Sequence, residues 1–226
     1  MTTPASTTQG ASDGHPGEAL VRMFALASAA IEAERDALCD LDGAIGDADH
    51  GTTMALGLRA VVTALGPPGR DAIAPSEVFR TAAAAFLDAV GASTGPLYAT
   101  GFRRAAQRLD GADAFGLAEQ AQMLAAIAAG IAERGKGGRG DKTMLDAWLP
   151  ARDAAEVALV RGDAPVAFWN GVVAAGGEGA EATRSMVASR GRAARLGERS
   201  LGHLDPGAVS AVLILKAMAA VFGPAG

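Results

Sequence analysis

Apolar residues recur along most of the chain at the spacing of three or four residues that is typical of amphipathic helices. The inner face of the first such segment, at about residues 17–39, consists of Leu20, Met23, Phe24, Ala27, Ala30 and Ile31. The same pattern predicts helices at about 52–65, 75–90, 96–109, 114–134, 151–160, 164–180 and 206–222, and a short helix that ends at Pro150. No segment shows a clear strand pattern. The sequence therefore predicts an all-α fold.

The composition agrees with one helical domain. Half of the 226 residues are apolar, and alanine, the best helix former, dominates them, whereas strand-favouring aromatic residues are few. We expect a single domain over residues 16–226, with Trp148 and Trp169 as core anchors. Residues 1–15 are rich in Thr, Ser, Ala and Gly and contain neither Lys nor Arg. They are expected to form a disordered tail rather than a signal peptide.

The charge and the cysteine count exclude some classes of protein. A formal net charge of −5 and an isoelectric point of about 5.2 do not favour nucleic-acid binding, and no apolar run reaches the length of a membrane span. Cys39 is the only cysteine, so no internal disulfide can form, and a reducing, cytoplasmic compartment is the simpler interpretation. Cys39 is expected to pack as a small apolar residue, with a catalytic thiol as the alternative.

The densest group of reactive side chains lies in residues 41–54, where Asp42, Asp47 and Asp49 precede a histidine, two threonines and the next helical pattern. Gly43 and Gly46 disfavour a continuous helix and let the chain fold back. Three carboxylates brought together would repel one another without a cation, and Mg²⁺ binds carboxylates together with phosphate oxygens. Amide groups at a helix start favour an anion. The pattern predicts a metal–nucleotide site; the alternative is a solvated acidic loop with Asp49 or Thr52 as a helix cap.

Two further glycine-rich loops separate predicted helices. Residues 91–96 either let the backbone approach a ligand or form an ordinary helix–helix turn, with Ser93 or Thr94 as a cap. Residues 135–144 lack the G-x-x-x-x-G-K-[ST] spacing of a P-loop, and no strand pattern precedes them. Asp141 is expected to cap the short helix that follows.

Residues 190–203 carry four arginines and three glycines. Arginine side chains suit phosphate oxygens and glycines suit a mobile lid, although a solvated basic loop would have the same composition. After this segment, Asp205 is predicted to be the N-cap of the last helix and Pro206 to lie in its first turn.

In chain order, residues 41–54, 91–100, 140–150 and 183–210 resemble the nucleotide-binding L subunit, or L domain, of dihydroxyacetone kinases. The most specific stretch is GRAARLGERSLGHLDPGA, and the resemblance covers roughly residues 18–222. It implies a single-domain barrel of eight antiparallel amphipathic helices with the nucleotide site at one end. One departure is that the usual Gly-Asp-Gly-Asp-His-Gly has Ala48 at its third position, which adds a methyl group at the tightest turn.

The resemblance also implies the residues of the site. Two Mg²⁺ ions that bridge to the phosphates would be held by Asp42, Asp47 and Asp49. The residues implied to contact ADP or ATP are His50, Gly51, Thr52, Thr53, Ala92, Ser93, Gly135, Met144, Arg192, Asp205, Pro206 and Gly207. No catalytic residue is assigned with certainty.

The function that the resemblance implies is that of a kinase subunit. An L subunit of this family passes a phosphoryl group to a ketose held by a separate K subunit. It either keeps ADP, which a phosphotransferase-system subunit rephosphorylates, or exchanges ATP. We therefore expect a Mg²⁺-dependent subunit that phosphorylates dihydroxyacetone or a related short ketose only together with a K subunit. The alternatives are a non-catalytic regulatory adaptor that retains the nucleotide site, and a helical protein whose acidic loop binds a structural cation.

Overall fold

The computed structural model describes residues 15–69, 73–91, 93–112 and 114–223. This part of the chain contains nine α-helices, two 3₁₀ helices and no β-strand, which confirms the all-α prediction. The α-helices are α1 (Pro16–Ala33), α2 (Arg35–Ile45), α3 (His50–Leu65), α4 (Pro75–Ala89), α5 (Thr94–Arg108), α6 (Leu117–Gly135), α7 (Leu145–Arg161), α8 (Pro165–Ala182) and α9 (Pro206–Phe222). Apart from His15, the predicted tail lies outside the described residues. None of the described helices combines the length and apolar character needed to cross a membrane.

The helices pack as a closed ring of neighbours. Each helix from α3 to α8 contacts the next one, α9 also contacts α1, and α1 contacts α3. The remaining helix, α2, packs against α3 and α9. Because consecutive helices are neighbours, the loops that follow α2, α4, α6 and α8 fall at the same end of the ring. These are the loops in which the sequence concentrates its chemistry.

The first predicted helix is longer than expected. It is interrupted once, at Glu34, and continues as α2 to Ile45, so that Asp42 and Gly43 are helical. The interruption is small because the Glu34 amide still donates to the Ala30 carbonyl. A single glycine costs a helix only about 1 kcal/mol relative to alanine, which tertiary contacts can offset. The prediction that this helix ends near residue 39 is therefore wrong.

Helix α7 runs through Pro150, where the sequence predicts a helix end. Proline lacks the amide that would donate to the Asp146 carbonyl. This carbonyl packs against the backbone of Gly179 on α8, where an added Cβ would collide with it. The absence of a side chain at Gly179 thus makes room for the carbonyl that proline leaves free. The predicted short helix and the predicted helix at 151–160 are one continuous element.

The interior of the ring contains a group of aromatic rings among many alanine and aliphatic side chains. Six of them are in mutual contact at centroid separations of 5.4 to 6.5 Å, namely Phe24, Phe79, Phe86, Tyr98, Phe102 and Trp148. Trp169 packs against Phe168 and Phe222, and its Nε1 donates to Gln120 Oε1 at 2.9 Å. Both tryptophans are almost fully buried, which confirms their predicted role in the core.

Candidate functional site

A cavity of about 370 Å³ lies at the end of the ring where the loops after α2, α4, α6 and α8 meet. Residues from all four of these segments line it. Its volume falls within the range of small-molecule sites, roughly 300 to 1,000 Å³. The wall combines acidic and basic side chains with apolar ones such as Leu97 and Ile131. This composition suits a ligand that has both a charged part and an apolar part.

Three carboxylates form an acidic cluster at the cavity. One oxygen from each of Asp42, Asp47 and Asp49 lies within 4.8 Å of the other two. Asp42 Oδ2 also accepts hydrogen bonds from the backbone amides of Asp49, at 2.9 Å, and His50, at 3.2 Å. Asp42 thereby satisfies amides at the start of α3, where the Asp49 side chain makes no capping bond. Helix α2 thus supplies both a member of the cluster and the cap of the next helix.

The turn that carries the other two carboxylates is tight. Ala48 has a φ of +62°, in the left-handed region where a Cβ is strained. The methyl group that the sequence adds to this motif therefore falls on a strained residue. Gly46 packs so closely against Asp42 that an added Cβ would collide with Asp42 Oδ1. The position of the Asp42 carboxylate thus depends on the absence of a side chain at Gly46.

His50 begins α3, lines the cavity and is 9% exposed. Its Nε2 lies 2.9 Å from Ser210 Oγ on α9, and the Ser210 hydroxyl also donates to the Gly207 carbonyl at 3.0 Å. Burial lowers the pKa of His50 to about 4, against the opposing charge of Asp42, so the ring is neutral at pH 7. The sequence gives no signal for Ser210, which is one polar residue in a predominantly apolar helix.

The loop between α6 and α7 is held by carboxylates. Asp146 is buried in the first turn of α7 and accepts hydrogen bonds from the amides of Gly140, at 2.5 Å, and Thr143, at 2.8 Å. Asp141 accepts instead from the Gly138 amide at 2.8 Å. The prediction that Asp141 caps the following helix is therefore wrong, because Thr143 Oγ1 accepts from the Leu145 amide, at 3.2 Å, where α7 begins.

Lys142, in the same loop, is a cavity residue that the sequence analysis missed. It is 1% exposed, and burial lowers the pKa of its ammonium group. Sequence reasoning treated this lysine only as part of a failed P-loop match. Its position in a glycine-rich loop next to predicted site residues was the available signal.

Residues 186–202, which we call the lid, connect the 3₁₀ helix Thr183–Ser185 to the segment before α9. The lid contains a second 3₁₀ helix, Ala193–Ser200. Near its start, the Ser189 hydroxyl donates to Asp141 Oδ1 at 2.5 Å. Arg192 forms an ion pair with Asp47, and its guanidinium lies 3.8 Å from the Asp49 carboxylate. The lid thus places a positive charge beside the acidic cluster.

Asp205 is the N-cap of α9, as predicted, because its Oδ2 accepts from the Ala208 amide at 2.7 Å. Pro206 follows in the first turn, also as predicted. Burial raises the pKa of Asp205 to about 7; the negative charge of Asp146 acts in the same direction and the positive charge of Lys142 opposes it. Asp205 therefore titrates near neutral pH at the wall of the cavity.

Most of the implied site residues converge on this cavity. Besides the three aspartates, its wall contains His50, Thr53, Ser93, Gly135, Met144, Arg192, Asp205, Pro206 and Gly207. Gly51 and Thr52 face α2 instead: Gly51 packs against the Arg35 carbonyl, and Thr52 Oγ1 lies 3.6 Å from the sulfur of Cys39. Ala92 lies outside the described residues. Neither Ser93 nor Thr94 forms a capping hydrogen bond through its side chain at the start of α5.

The groups at this cavity fit a hard divalent cation and an anion. Carboxylate oxygens are the ligands that Mg²⁺ prefers, and the cluster offers three within a small volume. The ion pair of Arg192 with Asp47 shows that a positive group is accommodated there. Helices α3 and α9 both begin at the cavity, and their first amides favour anions such as phosphate.

Comparison with known proteins places the chain in a family. The DAK2 domain family matches residues 44–220. The ADP-binding subunit DhaL of PEP-dependent dihydroxyacetone kinase 1 from Listeria innocua is 38% identical over 190 residues, which cover 83% of this chain and 88% of that protein. L-erythrulose 1-kinase from Mycolicibacterium smegmatis is 38% identical over 210 residues, which cover 88% of this chain and 34% of that protein.

A solved structure supports the fold. The crystal structure of the dihydroxyacetone kinase from C. freundii in complex with AMP-PNP and Mg²⁺ matches with a TM-score of 0.68 and 23% sequence identity. The match covers 97% of this chain and 37% of that chain. At this identity it bears on the fold alone, and it agrees with the all-α architecture described above.

Proposed function

Because the chain belongs to the DAK2 domain family, we propose that it is the nucleotide-binding, Mg²⁺-dependent phosphoryl-transfer subunit of a kinase for dihydroxyacetone or a related short ketose. The observation that carries the proposal is the acidic cluster, which lies beside Arg192 of the lid at a cavity where two helices begin. Phosphoryl transfer requires mainly positioning and charge stabilisation, and this arrangement provides groups for both.

Each element of the site has a physical role in the proposal. The carboxylates of Asp42, Asp47 and Asp49 hold the cation, which when bound neutralises charge on the transferred phosphoryl group. The N-termini of α3 and α9 favour the negative charge of the phosphates through their helix dipoles, since the His50 and Ala208 amides are already bonded to Asp42 and Asp205. Arg192 exchanges its ion pair with Asp47 for a contact to phosphate when cation and nucleotide bind. The lid then limits the access of water to the phosphoryl group.

The chain requires partners in this proposal. A separate K subunit holds the ketose, and either a phosphotransferase-system subunit or free ATP supplies the phosphoryl group. The relative from Listeria innocua is named as a subunit of a PEP-dependent kinase, which supports the first of these donors. The K subunit has to approach the lid, where Arg195 and Arg199 are exposed. Charge reversal at either arginine is expected to weaken the complex, and unchanged affinity for the K subunit would contradict this placement.

Native mass spectrometry of the purified protein with Mg²⁺ tests the proposal. A mass excess of ADP plus metal that survives buffer exchange would support a standing ADP cofactor and a phosphotransferase-system donor. A bare chain that binds ATP only on addition would support an exchanging, ATP-dependent kinase subunit. A chain that binds metal but neither nucleotide would overturn the proposal in favour of a structural cation site.

A matched pair of variants tests the acidic cluster in the same experiment. Asp47→Ala removes a member of the cluster and is expected to abolish binding of Mg²⁺–ADP. Asp40→Ala removes an exposed carboxylate of α2 that lies outside the cluster and is expected to bind like the parent chain. Equal binding by all three proteins would show that the cluster does not hold the metal–nucleotide complex.

A further inference from the structure

The two ends of the lid are joined by one side chain. Lys142 Nζ donates to the carbonyl of Thr183 at 2.6 Å and to the carbonyl of His203 at 2.5 Å. Thr183 precedes the lid and His203 follows it, so these two bonds close the loop that the lid forms. We call the contact of Lys142 with these two carbonyls the lid base.

Other bonds tie the lid base to the cavity. The Thr183 hydroxyl accepts from the Asp205 amide at 2.9 Å and donates to the Ala180 carbonyl at 2.6 Å. The Gly202 amide donates to the Arg184 carbonyl at 2.7 Å, which pairs the two lid ends directly. Both Asp205 and Lys142 line the cavity. The position of the lid is therefore coupled to the wall against which a ligand would lie.

Burial of the Lys142 ammonium group is energetically unfavourable, and a purely structural contact would not require it. Within the described chain, no carboxylate lies within ion-pair distance of its ammonium group, which is buried against backbone carbonyls. Removing an ammonium group from water is unfavourable, and an apolar side chain of similar length would avoid this cost. Lys142 also has a φ of +58°, a strained conformation for a residue with a Cβ. Strain and buried charge at one position are typical of residues kept for a function.

We propose that Lys142 is a positioning residue that holds the lid base closed and thereby sets how slowly bound nucleotide leaves the cavity. This inference rests on the proposed nucleotide-binding function. While the bonds of Lys142 to Thr183 and His203 hold, both ends of the lid stay fixed beside the cavity wall, which restricts how far the lid can move. Loss of these two charge-assisted bonds is expected to speed dissociation about tenfold or more. The association rate constant of the nucleotide is expected to change by less than about twofold, because association starts from an open lid.

The test compares Lys142→Met with Lys136→Met. Methionine keeps the length of the side chain and removes the ammonium group. Lys136 is an exposed lysine of the same loop with a similar backbone conformation (φ +50°), so its variant controls for the loss of charge and for strain. Dissociation of a fluorescent ADP analogue is measured with Mg²⁺ by competition with unlabelled ADP. Faster dissociation with unchanged association in Lys142→Met alone is expected, and a parental dissociation rate in this variant would overturn the inference.

Limited digestion of the nucleotide-free proteins with trypsin tests the lid base without a ligand. The lid carries Arg190, Arg192, Arg195 and Arg199 as cleavage sites. Cleavage there is expected to be faster in Lys142→Met than in Lys136→Met, while cleavage elsewhere stays at the parental rate. Equal acceleration at all sites would indicate general destabilisation and would overturn a specific role at the lid base.

Thr183→Val provides a second variant if Lys142→Met does not fold. It removes the hydroxyl that links the lid base to Asp205, whereas Thr183→Ser keeps the hydroxyl. Faster dissociation in the valine variant and a parental rate in the serine variant support the inference, and equal rates in both oppose it. A parent chain that binds no Mg²⁺–ADP would overturn the proposed function and the nucleotide part of the inference. Digestion with trypsin would still decide whether Lys142 holds the lid.

Discussion

Ser210 Oγ on α9 lies 2.9 Å from Nε2 of His50 on α3, although 160 residues separate them in the chain. The single proton of the Ser210 hydroxyl is donated to the Gly207 carbonyl, so Ser210 accepts the proton of Nε2. This assignment of the hydroxyl proton predicts that neutral His50 carries its proton on Nε2 and leaves Nδ1 as an acceptor. This contact joins the start of α3, where the acidic cluster lies, to the start of α9, where Asp205 lies.

Removal of the hydroxyl in Ser210→Ala is expected to leave a buried ring nitrogen without its partner. The free energy of unfolding should fall by about 1–3 kcal/mol. Urea denaturation measures this loss, and ¹⁵N NMR of the imidazole should show that Nε2 protonation is no longer strongly favoured. Ser185→Ala is the control, because the exposed Ser185 hydroxyl makes the same kind of bond to the carbonyl three residues earlier. Equal losses in both variants would contradict a specific bond to His50.

The packing of Gly46 against Asp42 predicts a selective loss of metal binding in Gly46→Ala. The new Cβ would displace the Asp42 carboxylate, because it would collide with Asp42 Oδ1. Displacement of one ligand of the cluster should weaken Mg²⁺ binding by about tenfold or more, as measured by calorimetry. Gly171→Ala on α8, where an added Cβ meets no atom within 4 Å, is the control and should bind Mg²⁺ like the parent. Parental affinity in Gly46→Ala would rule out the proposed role of this close packing.

The left-handed conformation of Ala48 predicts that Ala48→Gly stabilises the protein. Glycine removes the strain of the Cβ, which costs about 1–2 kcal/mol, but loses part of this gain through the entropy of its unfolded state. A net gain of up to about 1 kcal/mol is expected in chemical denaturation. Ala44→Gly, inside α2, should instead lower the free energy of unfolding, by about 0.5–1 kcal/mol. Destabilisation by both variants would show that Ala48 is not strained in solution.

The sequence predicts the number and type of most helices because each buries one face with a regular period. The predictions are wrong where a contact between residues distant in sequence decides where a helix ends. Pro150 does not end α7, because Gly179 of the neighbouring helix makes room for the carbonyl that proline leaves free. Likewise, α2 continues through Asp42 and Gly43 to Ile45, and the Asp42 carboxylate caps the next helix. Neither compensation is visible in local periodicity.

The candidate site likewise contains residues that the sequence indicates and residues that it does not. Charged and glycine-rich segments mark the acidic cluster and the lid in the sequence, whereas the roles of Arg192 and Asp205 at the site are implied by the resemblance. Lys142 and Ser210 escape notice because their roles depend on partners far along the chain. The carbonyls that Lys142 binds are 41 and 61 residues away, and every residue has a carbonyl, so no residue type marks these partners. Such contacts become apparent only when the loops are assembled at one end of the ring.

The raised pKa of Asp205 predicts a stability that falls as pH rises. The folded carboxyl titrates at about pH 7, whereas its ordinary pKa is 3.8. Between these values the folded chain keeps a proton that the unfolded chain has released, so the free energy of unfolding decreases with increasing pH. The slope contributed by one such group is at most about 1.4 kcal/mol per pH unit. Asp146 and Asp42 reinforce this shift and Lys142 opposes it.

Urea denaturation between about pH 4 and pH 8 compares the parent chain with Asp205→Asn. Asparagine keeps an oxygen that accepts from the Ala208 amide but cannot titrate in this range, so its curve of stability against pH should lack this decline. Asp88→Asn removes an exposed carboxyl of α4 and should leave the parental slope unchanged. If the stability of the parent and of Asp205→Asn changed with pH in parallel, the Asp205 carboxyl of the folded chain would be ionised over the whole pH range measured. Burial at the start of α9 would then not outweigh the charge of Lys142 and the Ala208 amide.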